Sequence, residues 1–77
     1  MTAEEAILAL LAERAPGSTI CPSEAARRLA GPQGDWRAAM DAIHAATDRL
    51  AGHGAIMLSW KGVQTEKRRG PYRIARR

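Results

Sequence analysis

The chain has 77 residues and a formal charge of +4, enough for one small domain that buries only about 60% of its unfolded surface and is stable by a narrow margin. Its single cysteine, Cys21, excludes an internal disulfide framework. Two Trp, one Tyr and no Phe leave few platforms for single-stranded nucleic acid bound by base stacking.

Thr2 and Glu5 have the capping-box spacing and open a first helix that the pattern carries from about Ala3 to Ala15. Ile7, Leu8, Leu10 and Leu11 supply its apolar face, and Pro16-Gly17 ends it. The apolar run Ala6 to Ala12 is too short for a membrane span, and the acidic Glu4 and Glu5 do not resemble a basic leader. A cytoplasmic protein is therefore expected. Ser18-Thr19-Ile20 reads as a brief extended segment.

Pro22 suits the first position of a second helix, Pro22 to Ala30, with Ala25, Ala26 and Leu29 inward. Gly31-Pro32-Gln33-Gly34 breaks it. Asp35 is a fitting N-cap for a third helix, Trp36 to about Gly52, whose stripe of Trp36, Met40, Ile43, Thr47 and Leu50 holds helical period over four turns.

Ala55 to Lys61 alternates as a half-buried strand, with Ile56, Leu58 and Trp60 predicted inward. Pro71 to Ala75 alternates too, with Tyr72 and Ile74 inward and Arg73 outward. The polar stretch Gly62 to Gly70 between them reads as a long hairpin connection.

This order predicts an α+β fold over residues 1–77: a winged helix-turn-helix of three helices plus a C-terminal β-hairpin, with the wing at about 61–70. The segments Thr19-Ile20-Cys21-Pro22-Ser23-Glu24-Ala25-Ala26, Asp35-Trp36-Arg37 and Arg69-Gly70-Pro71-Tyr72-Arg73-Ile74 resemble a family of small bacterial winged-helix domains of unknown function. The similarity runs from about Glu4 to Arg76. It is most specific at Ile20 to Glu24 and least matched at Val63 to Arg68. The resemblance implies the fold and no particular activity.

Charge is distributed unevenly. Lys61, Lys67, Arg68, Arg69, Arg73, Arg76 and Arg77 lie in the last 17 residues against one acid, Glu66. Ten Arg with two Lys and no Asn suggest a GC-rich coding background. Arginine position is therefore more informative than arginine number. A basic tip on a near-neutral body points to an anionic partner, duplex DNA before others, held mainly through its phosphates. Charge reversal of Lys67, Arg68 and Arg69 is expected to weaken binding to all sequences alike.

The third helix is expected to lie in a major groove, with Arg37 in its first turn reaching a phosphate or a guanine. Ala38, Ala42 and Ala45 are too short to read base edges, so strong sequence specificity is not expected from it. The other reading of Arg37 is a surface residue beside Trp36. Arg27 and Arg28 read as solvated or as partners of Glu24. Trp36 and Trp60 read as core.

Cys21 reads as a small hydrophobe at a tight corner, with reactivity at a helix N-terminus the sharper alternative. His44, between Asp41 and Asp48, is expected to be an exposed ion-pair partner. No metal site, cofactor motif or catalytic set is evident. The alternative function is a protein-interaction or dimerisation module, whose partner would be an acidic protein or a second copy of the chain.

Overall fold

The structure, a computed structural model, describes residues 1–77. Helix α1 spans Ala3–Glu13. Its capping box is formed as predicted: the Glu5 amide donates to Thr2 Oγ1 at 3.1 Å, and the Thr2 amide donates to Glu5 Oε1 at 2.7 Å. The helix stops two residues before the expected end. Arg14 is already extended, and Ala15 precedes Pro16, a position disfavoured in helices. Leu8, expected inward, is 43% exposed. Only Ile7, Leu10 and Leu11 of the predicted face are buried.

Strand β1 (Thr19–Ile20), helix α2 (Pro22–Ala30) and helix α3 (Trp36–Gly52) follow. Asp35 caps α3 by accepting from the Arg37 and Ala38 amides. The end of α3 is closed by two further amides, Gly54 to the Ala51 carbonyl and Ala55 to the Leu50 carbonyl, the paired bonds of a Schellman stop.

The α2–α3 turn depends on Gly34. A Cβ there would overlap the backbone carbonyl of Ala30, so the two helices can approach only over a bare Cα. Gly34→Ala is expected to cost about 3 kcal/mol, at the upper end of common substitutions, read as a lowered urea midpoint. An unchanged midpoint would show that the turn yields freely.

The rest of the chain differs from the expected long hairpin loop. Strand β2 (Ile56–Trp60) turns at Lys61-Gly62, both with positive φ, 51° and 81°. This is the backbone of a two-residue primed turn. Strand β3 (Val63–Thr65) then pairs back on β2, with Trp60 opposite Val63 and Leu58 opposite Thr65. Residues 66–72 pass to the other side of β2, where β4 (Arg73–Arg76) pairs with both β2 and β1. The sheet is antiparallel throughout, in the order β1-β4-β2-β3. The predicted 61–70 loop is thus a tight turn, a short edge strand and a crossover.

Three helices on this four-stranded sheet make an α+β fold. The core joins Ile7 and Leu11 of α1, Ile43 of α3, and Ile20, Ile56, Leu58 and Ile74 of the sheet. Trp36, Met40 and Leu50 form its half-buried rim. Trp60, predicted inward, is 41% exposed. Period 2 places it on the face of Ile56 and Leu58, but at the far end of β2, beside Val63, which is 65% exposed.

Candidate nucleic-acid interface

The fold sorts the twelve basic residues by what holds them. Four arginines pair with carboxylates: Arg14 with Glu24, Arg28 with Glu13, Arg49 with Glu4 and Arg68 with Asp48, each at 2.6–2.7 Å. Arg28, expected to be solvated or on Glu24, instead joins α2 to α1 through both its terminal nitrogens.

Two more arginines serve neutral groups. Arg73, predicted outward, is half-buried: its guanidinium donates to the Thr19 hydroxyl and carbonyl and to Cys21 Sγ. Arg76 donates to the Arg14 carbonyl at 3.1 Å, just past the end of α1. Two others, Arg27 and Arg37, lie over the ring of Trp36 at 4.5 and 4.4 Å from its centroid.

That leaves Lys61, Lys67, Arg69 and Arg77. All four are exposed and none has an ion-pair or hydrogen-bond partner within the chain. Lys61 stands on the β2–β3 turn, Lys67 and Arg69 on the crossover, and Arg77 after β4. Lys67, Arg68 and Arg77 line a groove of about 760 Å³ between the C-terminal part of α3 and the β2–β3 hairpin, together with Asp48 and Glu66. Of the two acids, Asp48 is neutralised by Arg68, which bonds it through two nitrogens at 2.7 and 2.9 Å. The same contact holds the Asp48 carboxyl below its ordinary pKa and fastens the crossover to α3.

The sequence set therefore divides. Lys61, Lys67, Arg69 and Arg77 are free to meet a ligand, and Arg37 is exposed on its stacking partner. Arg68, Arg73 and Arg76 are already engaged. The exposed face of α3 carries Arg37, Ala38, Asp41, Ala42 and Ala45. Asp48 is paired with Arg68, and Arg49 of the same helix with Glu4. The exposed face remains poor in groups that read bases.

Arg27 is the functional candidate that sequence reasoning set aside. It lies in the last turn of α2 while Trp36 begins α3, and the tight Gly31–Gly34 turn brings the two together. No periodicity announces such a contact.

Cys21, His44 and Tyr72 line a second, open pocket of about 270 Å³ together with Met40 and Trp60. His44 Nδ1 lies 2.7 Å from the Tyr72 hydroxyl, which is 3.4 Å from Thr47 Oγ1. His44 is thus half-buried and forms no ion pair with Asp41 or Asp48, contrary to expectation. Burial, then the Arg68 charge, hold its pKa below the ordinary 6.5. Cys21 is half-buried at the α2 cap, its amide donating to Glu24 Oε1 at 3.0 Å, and β4 brings to its sulfur a basic neighbour absent from the local sequence, Arg73. No three His, Cys, Asp or Glu side chains gather as a metal site. No helix is long and apolar enough to cross a membrane.

The His44 shift has a sign. As pH falls, the unfolded chain takes this proton first, near 6.5, because the folded site resists it. The stability His44 confers is therefore full above about 6.5 and is lost as pH falls through its lowered folded value. Glu13, Glu24 and Asp48, held below their ordinary 4.5, 4.5 and 3.8, lose their contributions only in a more acid range. Melting temperature should thus decline already as pH falls below about 6.5, before the carboxylates titrate. In His44→Gln, which keeps a polar partner for Tyr72, that early decline should be absent. An identical decline in both proteins would remove His44 as its cause.

The family model described as "Protein of unknown function (DUF3253)" matches residues 1–77. No curated protein matches the chain.

Proposed function

We propose that this chain, which belongs to that family, is a cytoplasmic winged-helix protein that holds duplex DNA by its phosphate backbone, in a regulatory or architectural role. One observation carries the reading: Lys61, Lys67, Arg69 and Arg77 stay exposed and unpaired in a fold that gives most of its other cations internal partners. Supporting it, the order helix, strand, helix, helix and then three strands is compatible with a winged helix, in which α3 would be the groove helix and the Lys61-Gly62 turn the wing tip.

Mechanistically, each cation that neutralises a phosphate releases condensed counterions. Affinity then falls with salt at a slope of about 0.9 per contact. The short side chains of α3 give little base readout, so affinity should vary weakly with sequence. The test is fluorescence anisotropy of random-sequence duplex at 50 and 200 mM salt. Each contact predicts about a 3.5-fold loss across that range. No binding at 50 mM salt would end this reading.

One observation favours the protein-interaction alternative. Trp60 and Val63 form an exposed apolar pair beside the free edge of β3, and an uncovered edge can accept another strand. A dimer held there would persist at high salt. Light scattering showing only monomer at high protein concentration and high salt would exclude the dimer form.

A further inference from the structure

We infer that Arg27 and Arg37, held over Trp36, form a phosphate clamp at the α2–α3 turn, separate from the cations of the hairpin and crossover. Both guanidinium carbons lie within 4.5 Å of the centroid of one indole ring. Two like charges are thereby held beside one ring on an exposed surface.

Nothing in the chain neutralises them. Glu24, one turn before Arg27, is taken by Arg14. Asp35, next to Trp36, accepts the Arg37 and Ala38 amides. Asp41, one turn beyond Arg37, forms no ion pair. The four salt bridges of the molecule leave these two arginines out. The attraction of each guanidinium to the ring opposes their mutual repulsion, and an anion that reaches both would offset that repulsion.

Stacking also prepares the groups for such an anion. A guanidinium lying on an aromatic ring presents its N–H edges outward, already ordered. A tetrahedral phosphate can give a different oxygen to each of two forks. A carboxylate, with two oxygens in one plane, suits a single fork. The chemistry named is therefore phosphate, either in a DNA backbone or as a free phosphoanion.

The DNA-backbone form of the clamp rests on the function proposed above and adds a second anchor to it, at the opposite end of α3 from the groove. The experiment separates the two ideas. In a Trp60→Phe background Trp36 is the only indole, so its emission reports on the clamp. Inorganic pyrophosphate and random duplex DNA are titrated separately at constant ionic strength. The expected result is a saturable change in Trp36 emission with both probes.

Arg27→Gln/Arg37→Gln should abolish the pyrophosphate response and lower the salt slope of DNA binding by about 1.8, two contacts' worth. Arg27→Lys/Arg37→Lys keeps both charges and stems and should retain that slope. This separates loss of the clamp from loss of the fold, with far-UV circular dichroism checked on each. A response to pyrophosphate but not to duplex would uphold the clamp for free phosphoanions and overturn the DNA reading. Duplex binding with an unchanged slope in the Gln variant, and no pyrophosphate response, would overturn the clamp and leave the DNA reading intact. Silence toward both probes would overturn both.

Discussion

Replacing Lys61, Lys67 and Arg69 together with glutamate should reduce affinity for duplex DNA on the order of tenfold or more at 50 mM salt and lower the salt slope by about 2.7, three contacts' worth. The loss should be nearly the same for every sequence tested, since phosphate contacts carry no base information. The choice of residues follows from their partners. Arg68 belonged to the charge-reversal set read from the sequence, but it is fastened to Asp48 of α3. Glutamate at 68 would face that aspartate and detach the crossover, so weaker binding would not distinguish a lost phosphate contact from a displaced loop. Lys61, Lys67 and Arg69 are exposed and make no contact whose removal would disturb the fold. Anisotropy at several salt concentrations is the measurement. Wild-type affinity and slope in the triple variant would eliminate the hairpin and crossover as the interface. A loss confined to one sequence would show base reading where none is expected.

The helices were legible because their signals are local. Thr2 with Glu5, Pro22 after Cys21, and Asp35 before Trp36 are caps whose chemistry acts within one turn. The α2 and α3 spans match the structure at both ends. The sheet was harder to read for a related reason. The β2–β3 turn is Lys61-Gly62, and Lys rarely adopts the positive φ it has here, so no usual turn pair marks it. Val63-Gln64-Thr65 is too short to show alternation within a polar stretch. Its pairing with β2 supplies the order that its own sequence does not announce.

Trp60 and Leu8 show a second limit. Both satisfy the period of their element, and both lie beyond the area that the neighbouring elements cover. Periodicity gives the face a residue points to. It does not give the extent of the surface that meets that face.

The candidate interface was legible as a crowd of cations, but not residue by residue. The crowding of cations near the C-terminus is plain in the sequence. Which of them remain free is decided by carboxylates, hydroxyls and backbone carbonyls far along the chain. Thr19 is 54 residues from Arg73, and Arg14 is 62 from Arg76. Arg27 became a candidate by the same kind of distant event, the return of the chain that lays Trp36 beside it.

Ile74→Ala should have the largest effect on the fold. Ile74 lies on β4 directly between Ile20 of β1 and Leu58 of β2, and all three are shut off from solvent. Truncation removes the side chain that joins the two halves of the sheet and leaves a cavity among residues pinned by backbone pairing, where collapse is restricted. Such changes cost about 2–5 kcal/mol, while a domain of this length has a total stability of about 4–12 kcal/mol. The melting temperature should therefore drop by more than about 10 °C, read by circular dichroism. Leu8→Ala is the instructive counterpart. The α1 pattern puts Leu8 on the same face as Leu11, but its exposure predicts a cost within about 0.5 kcal/mol. If Leu8→Ala proved as damaging as Ile74→Ala, the partner that buries Leu8 would have to come from outside this domain. If Ile74→Ala melted within a degree or two of wild type, β4 would not be the centre of the sheet. The crossover that carries Lys67 and Arg69 to it would then lack its anchor.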